Sequence, residues 1–149
     1  MSEAAGKEQQ VEIAIQRLYT RDLSFESPKA PHVFTSEKSP KIQLDLSTKS
    51  RKLDEAVFEV ELCVTVTADA EGESIFIAEV EQCGIFKIKG IEGEGLSRIL
   101  GAYCPGVLFP YVRETIDYLT TKGSFPPLML APVNFEALYQ QKKREVEKK

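Results

Sequence analysis

"AVFEVELCVTVTADAEGESIFIAEVEQCGIFKIKG", residues 56–90, decides the fold. In its first half Phe58, Val60, Leu62, Val64 and Val66 occupy one side of an extended chain, and Glu59, Glu61 and Thr65 the other. That alternation is the mark of a half-buried strand. "AEGE" reads as a turn, and "SIFIAEVEQCGIFKIKG" returns as the partner strand. There Phe76, Ala78 and Val80 share a face, while Ile75, Ile77, Glu79 and Glu81 share the opposite one. The first set continues the apolar core; the second mixes isoleucine with carboxylates. The two strands predict an antiparallel meander with one buried face and one acidic, partly apolar, exposed face.

Working outward, residues 1–10 read as a disordered polar tail. "VEIAIQRLYTRDLSF" is a first strand, with Ile13, Ile15, Arg17 and Tyr19 alternating with Ala14, Gln16 and Leu18. "ESPKAPHVFTSEKSP" holds three prolines and is an irregular connection. "KIQLDLS" is a further strand, with Ile42, Leu44 and Leu46 on one face. Downstream the period changes. Leu108, Val112, Thr115 and Leu119 recur at helical spacing, supported by Tyr111 and Ile116. Pro110 suits a first turn, so the helix is expected to start near residue 107 and to end at Lys122 and Gly123.

"SFPPLMLAPVNFEALY", residues 124–139, interrupts an apolar run with three prolines, so residues 126–132 should be extended. Asn134 is the expected N-cap of a second helix carrying Phe135, Leu138 and Tyr139 on one side. That helix should dissolve into a charged, solvated tail over residues 141–149. Strands followed by helices imply α+β architecture.

Composition bounds the function. A chain of 149 residues, 42% apolar and 28% charged, suits one folded domain. The net charge of −4 argues against a general nucleic-acid binder. No stretch approaches a membrane span, and "MSEAAGKEQQ" has no apolar signal-peptide region. Cys63, Cys83 and Cys104 lack metal-ligand spacing and read as reduced thiols of a cytoplasmic protein. Charge is uneven: residues 1–53 carry +2, residues 54–94 carry −9 and residues 95–149 carry +3. The central segment can steer a basic partner.

No catalytic site assembles from the sequence, and no cofactor or metal is implied. His32, the only histidine, sits in the Pro-rich connection without a nucleophile motif. "IKGIEGEGLSR" lacks the ending of a phosphate loop, and Glu92 and Glu94 would repel phosphate. Glu59, Glu61, Glu79 and Glu81 could be offered to a metal, but alternating carboxylates on an exposed strand more often form a solvated face. What remains is apolar surface that a single helix cannot cover. Self-association is expected, with Leu108, Val112 and Leu119 as a subunit contact, weighed evenly against packing on the chain's own sheet.

Four motifs then carry a resemblance: "IQRLYTRDLSFESPKAPHVF" at 15–34, "EVEQCGIFKIKGIE" at 79–92, "LGAYCPGVLFPYVRE" at 100–114 and "GSFPPLMLAPVNFEALY" at 123–139. In order and spacing, from about residue 13 to 140, the chain resembles the SecB export chaperones. The resemblance implies a four-stranded antiparallel sheet with two helices packed on one face, assembling as a dimer of dimers, with the longer helix at the tetramer centre. It implies a cytoplasmic holdase that binds unfolded preproteins without ATP and passes them to the SecA motor. A peptide groove would take Val33, Phe34, Leu44, Leu46, Leu128, Leu130, Phe135 and Leu138. A contact for the basic, zinc-containing tail of SecA would take Asp22, Glu26, Ile77 and Glu79. The last two also share the exposed anionic face found from periodicity. Two departures stand out: the tryptophan common after "HVF" is absent, and "KKREVEKK" is basic where many relatives are acidic. An adaptor with one fixed partner is the alternative from another class; a small-molecule binder or enzyme using the groove is a weaker third.

Overall fold

The structure is a computed structural model, and it describes residues 10–147. The tail expected over residues 1–10 therefore lies, except for Gln10, outside the described residues. Four strands form one antiparallel sheet in the order β1-β4-β3-β2: β1 (Glu12–Glu26), β2 (Lys41–Asp54), β3 (Val57–Ala70) and β4 (Glu73–Lys89). Residues 27–40 carry the chain from one sheet edge to the other and include a 3₁₀ turn, His32–Thr35. After β4 come α1 (Gly93–Arg98), a π-helical turn (Ile99–Tyr103), α2 (Cys104–Lys122) and α3 (Phe135–Glu147).

The meander forms as its alternation dictates. Val64 pairs with Val80 and Val66 with Ala78, so the apolar sets of β3 and β4 share one face. Glu71 and Gly72 take φ of 48° and 83° in the connecting turn, and two successive positive φ values make the tight hairpin turn that matches strand twist. β2 runs seven residues beyond the expected "KIQLDLS". The added stretch lacks apolar alternation, but Lys49 faces Glu61 and Arg51 faces Glu59 on β3. Opposite charges across the ladder take the place of apolar pairs there.

Two irregularities change the reading of β1. Register shifts fall between Ile15 and Arg17 and between Thr20 and Asp22. A bulge adds a residue and so exchanges the faces. Ile13 and Ile15 therefore share the inner face with Leu18, while Arg17 and Tyr19 turn outward.

The helix carrying "LFPYV" begins earlier than expected. Helical backbone runs from Gly93 through the π turn into α2, so Pro110 lies inside a helix and not in its first turn. Pro110 and Gly106 are both exposed, so the Gly106 carbonyl that loses its donor is open to solvent. The C-terminus falls where Lys122 and Gly123 place it, the Gly123 N–H bonding the Leu119 carbonyl at 3.0 Å. Asn134 caps α3, accepting the Ala137 N–H at 2.9 Å. The charged end does not unwind directly after Tyr139; α3 continues to Glu147.

Leu108, Val112 and Leu119 are buried within the chain, in one cluster with Val60, Leu62, Val64 and Val80. The stripe expected as a subunit contact thus packs on the chain's own sheet, because a helix laid across β3 and β4 presents its apolar side to theirs. The exposed side of α2 instead carries Tyr111 and Tyr118. Leu108→Ala should therefore lower subunit stability by about 3–5 kcal/mol. Urea denaturation should show the same loss at every protein concentration; a loss confined to dilute protein would return Leu108 to an interface.

Candidate functional site: apolar cavities along an edge strand and an acidic outer face

Ile42, Leu44 and Leu46 point to the inner face of β2, opposite Ala68, Val66 and Val64. β2 is the sheet edge, and α2 does not reach it. Ile42 is left 41% exposed and Leu44 36%, an apolar row open to solvent. A cavity lies at each end of this row. The first, of about 200 Å³, is bounded by Pro40, Ile42, Ile75, Phe76, Phe125, Pro126, Pro127 and Leu128. The second, of about 280 Å³, has Leu46, Phe135, Leu138 and Tyr139 as its apolar walls, with polar atoms at its mouth. Ile42 and Leu46 are about 13 Å apart at 3.3 Å per strand residue, and Leu44 lies between them.

The first cavity is built on an aromatic cluster. Phe125 approaches Phe76 with ring centroids 5.0 Å apart and Phe34 at 5.5 Å, while Phe25 stacks on Phe76 at 5.6 Å. These rings come from β1, the 3₁₀ turn, β4 and the Pro-rich segment, which no local pattern could join. Gly123 admits them: a Cβ there would lie 2.4 Å from the Phe25 ring. Residues 125–133 have neither helix nor strand structure, as their prolines require.

Of the expected groove residues, Leu128 lines the first cavity, Phe34 (51% exposed) packs against its Phe125 wall, and Leu46 and Leu138 (41% exposed) line the second. Val33 is half-buried in the 3₁₀ turn. Leu130 and Phe135 are 8% and 7% exposed and belong to the core; the Phe135 ring meets Phe109 edge-on at 5.8 Å. Leu130 lines neither cavity, and Phe135 gives the second one a buried wall. Sequence reasoning missed Phe25, Phe76, Phe125, Ile42 and Tyr139. Only their aromatic or apolar character at loop and strand-end positions could have signalled them.

The outer face holds the second expected site. Asp22 lies opposite Glu81 and Glu26 opposite Ile77, so Asp22, Glu26, Ile77 and Glu79 are brought to one face across β1 and β4. Asp22 and Glu26 are exposed; Ile77 and Glu79 are half-buried. The neighbouring carboxylates depart from the solvated face expected for them, since Glu59 and Glu61 are 8% and 6% exposed. Basic and phenolic groups cover them. Tyr19 donates to Glu59, Arg51 donates to Glu59 at 3.0 Å, and Arg21 pairs with Glu61 and Glu81. The Tyr19 hydroxyl and the arginines hold the Glu59 carboxyl below its ordinary range against the opposing effect of burial. Burial, then the Glu59 acceptor, pushes Tyr19 well above the usual phenol range.

Cys63, Glu79 and Glu81 bring ligand-type atoms within 4.8 Å of one another, but Thr65 already donates to Glu79 and Arg21 to Glu81. Burial raises all three thiols, Cys104 to about 12, so they are protonated near neutral pH.

This architecture has a solved counterpart. It matches a SecB-like chaperone of Mycobacterium tuberculosis, solved in complex with a ChAD peptide from the HigA1 antitoxin, with a TM-score of 0.69 at 18% identity over 81% of this chain and 90% of that one. The family model described as preprotein translocase subunit SecB matches residues 6–146. "Protein-export protein SecB" of Stutzerimonas stutzeri is 54% identical over 138 residues, 93% of this chain and 84% of that protein. Its counterpart in Hahella chejuensis is 50% identical over 141 residues, 95% and 89% of the two chains. The chain belongs to the SecB family, a family of chaperones and not of enzymes.

The ion cluster has a pH signature. A carboxyl held below its unfolded value contributes stability above that value and loses it as pH falls. Glu59→Gln should cost about 1–3 kcal/mol at pH 7. The gap between wild type and variant should close as pH falls below about 4, as read from urea midpoints across a pH series.

Proposed function

We propose that the protein is an ATP-independent holdase that binds apolar segments of unfolded preproteins, keeps them fit for translocation and delivers them to SecA. The observation that carries this reading is the uncovered inner face of β2, where Ile42 and Leu44 lie open between two apolar cavities. The peptide bound by the Mycobacterium tuberculosis relative and the export role in the curated relatives' names support it. Each client side chain seated in a cavity contributes at most about 1.5–3 kcal/mol, before ordering costs are subtracted. One subunit therefore binds weakly and with little sequence preference. A homotetramer, arranged as a dimer of dimers, offers four such surfaces to one long chain and raises affinity through effective concentration. Holding the unfolded state delays folding by mass action, so nucleotide is not needed.

Transfer uses the opposite face. Glu26 and Glu79 flank Ile77, with Asp22 farther along β1 opposite Glu81, a strip suited to the basic, zinc-containing tail of SecA, and charge complementarity chiefly speeds encounter. Client and motor are thus assigned to opposite faces of one sheet, and both can be bound at once. The setting is the cytoplasm, where preproteins emerge; no helix among the described residues is long and apolar enough to cross a membrane.

The protein should slow the refolding of several unrelated substrates without nucleotide. Unchanged refolding of every substrate overturns the holdase reading, and activity on a single one favours a dedicated adaptor. Leu138→Asp in the second cavity and Phe34→Asp beside the first, both at half-exposed positions, should weaken client binding about tenfold or more and leave SecA affinity unaltered. Glu79→Lys should do the converse, lowering SecA affinity about tenfold, mainly through slower association in stopped-flow measurements. Parallel loss of both activities in either variant would refute the division between faces.

A further inference from the structure

Helix α3 is fastened to the body of the protein unevenly. Phe135, its first residue, is its one buried side chain among the described residues. The helix packs chiefly on the π-helical turn Ile99–Tyr103. Gly101 of that turn is where Tyr139 seats; a Cβ there would lie 2.7 Å from the Tyr139 ring. The remaining ties are polar and point to α1. Glu94 accepts from the Tyr139 hydroxyl and from Lys143, each at 2.8 Å, and Arg98 pairs with Glu136. The four charged side chains are between 38% and 58% exposed. Beneath this helix lies the second cavity, with Leu46, Leu138 and Tyr139 in its walls.

We propose that α3 is a charge-latched lid over that cavity, held shut by Glu94 with Lys143 and Tyr139 and by Arg98 with Glu136, and hinged at Phe135. Exposed pairs are weak and are screened by salt, which suits a latch that must release readily. Phe135, anchored against Phe109, keeps the hinge in place while the later turns lift. The preceding segment, residues 125–133, has no regular structure to resist the movement. Opening joins Leu46 and the Tyr139 seat to Leu44 as one apolar strip, enlarging the surface a client can use. The functional consequence rests on the client-binding reading above; the latch itself is a property of the free protein.

Hydrogen exchange of the full chain, without client, tests it. Protection of amides in residues 137–147 should fall about two- to fivefold between roughly 50 mM and roughly 500 mM salt, while β3 and β4 amides stay unchanged. Glu94→Lys should lower α3 protection in low salt and weaken the salt response, and adding Lys143→Glu should restore both. If α3 protection is indifferent to salt and equal in wild type, single and exchanged variants, packing alone holds the helix and the latch is refuted. Client affinity is measured separately. Expected exchange behaviour without client binding refutes the client reading alone; client binding with salt-indifferent exchange refutes the latch alone.

Discussion

The packing of α2 onto β3 and β4, through Leu108, Val112 and Ile116, sets what becomes of the rest of the surface. A helix is about 10 Å across and strands stand about 4.8 Å apart, so one helix covers about two strands. The two central strands take that cover, and their apolar alternation is buried almost completely. β2, at the edge, has the same alternation in Ile42, Leu44 and Leu46 but lies beyond the reach of α2. An apolar strand face without a helix over it is costly in a protein that binds nothing, and useful in one that binds unfolded chains.

The elements around β2 limit that exposure without removing it. The Pro-rich segment 125–133 supplies Phe125, Pro126, Pro127 and Leu128 at one end, and α3 supplies Leu138 and Tyr139 at the other. Each buries one side chain in the core, Leu130 and Phe135, but neither lays a continuous ladder on β2, and Leu128 and Leu138 beside it stay partly exposed. Proline denies the segment some of its backbone donors, and beyond Phe135 the side chains of α3 are partly or fully exposed among the described residues. Weak cover of this kind leaves an apolar surface open in a folded chain.

The outer face solves a different problem. Four glutamates along β3 and β4 would repel one another if left alone. Arg21 and Arg51, from the two edge strands, neutralise Glu59 and Glu61 at the centre, and the Tyr19 hydroxyl donates to Glu59. Negative charge is thereby displaced toward the β1 side, at Glu26 and Glu79 beside the half-buried Ile77 and at Asp22 farther along the strand. The cluster ties all four strands together and leaves the acidic patch where a basic partner can reach it.

Much of this was legible in the sequence. Period-two alternation in 57–89 and helical spacing from Leu108 to Leu119 determined the elements and the inner face, because local backbone geometry alone decides which side a residue occupies. Asn134 and Gly123 marked helix ends by their capping chemistry, and the prolines at 126, 127 and 132 marked an extended segment. Other features depended on partners distant in the chain. The bulges in β1 answer to the register of β4, so Arg17 and Tyr19 left the face that alternation assigned them. Pro110 could stand inside a helix because that side of α2 faces solvent. Glu59 and Glu61 could be buried because Tyr19, Arg21 and Arg51 reach them from other strands. Leu108 and Val112 had an apolar stripe readable from spacing alone, but only the folded chain showed its own sheet covering them. Short-range geometry is written residue by residue; which surface covers which, and which is left open, is settled only when all four strands and the helix compete for the same space.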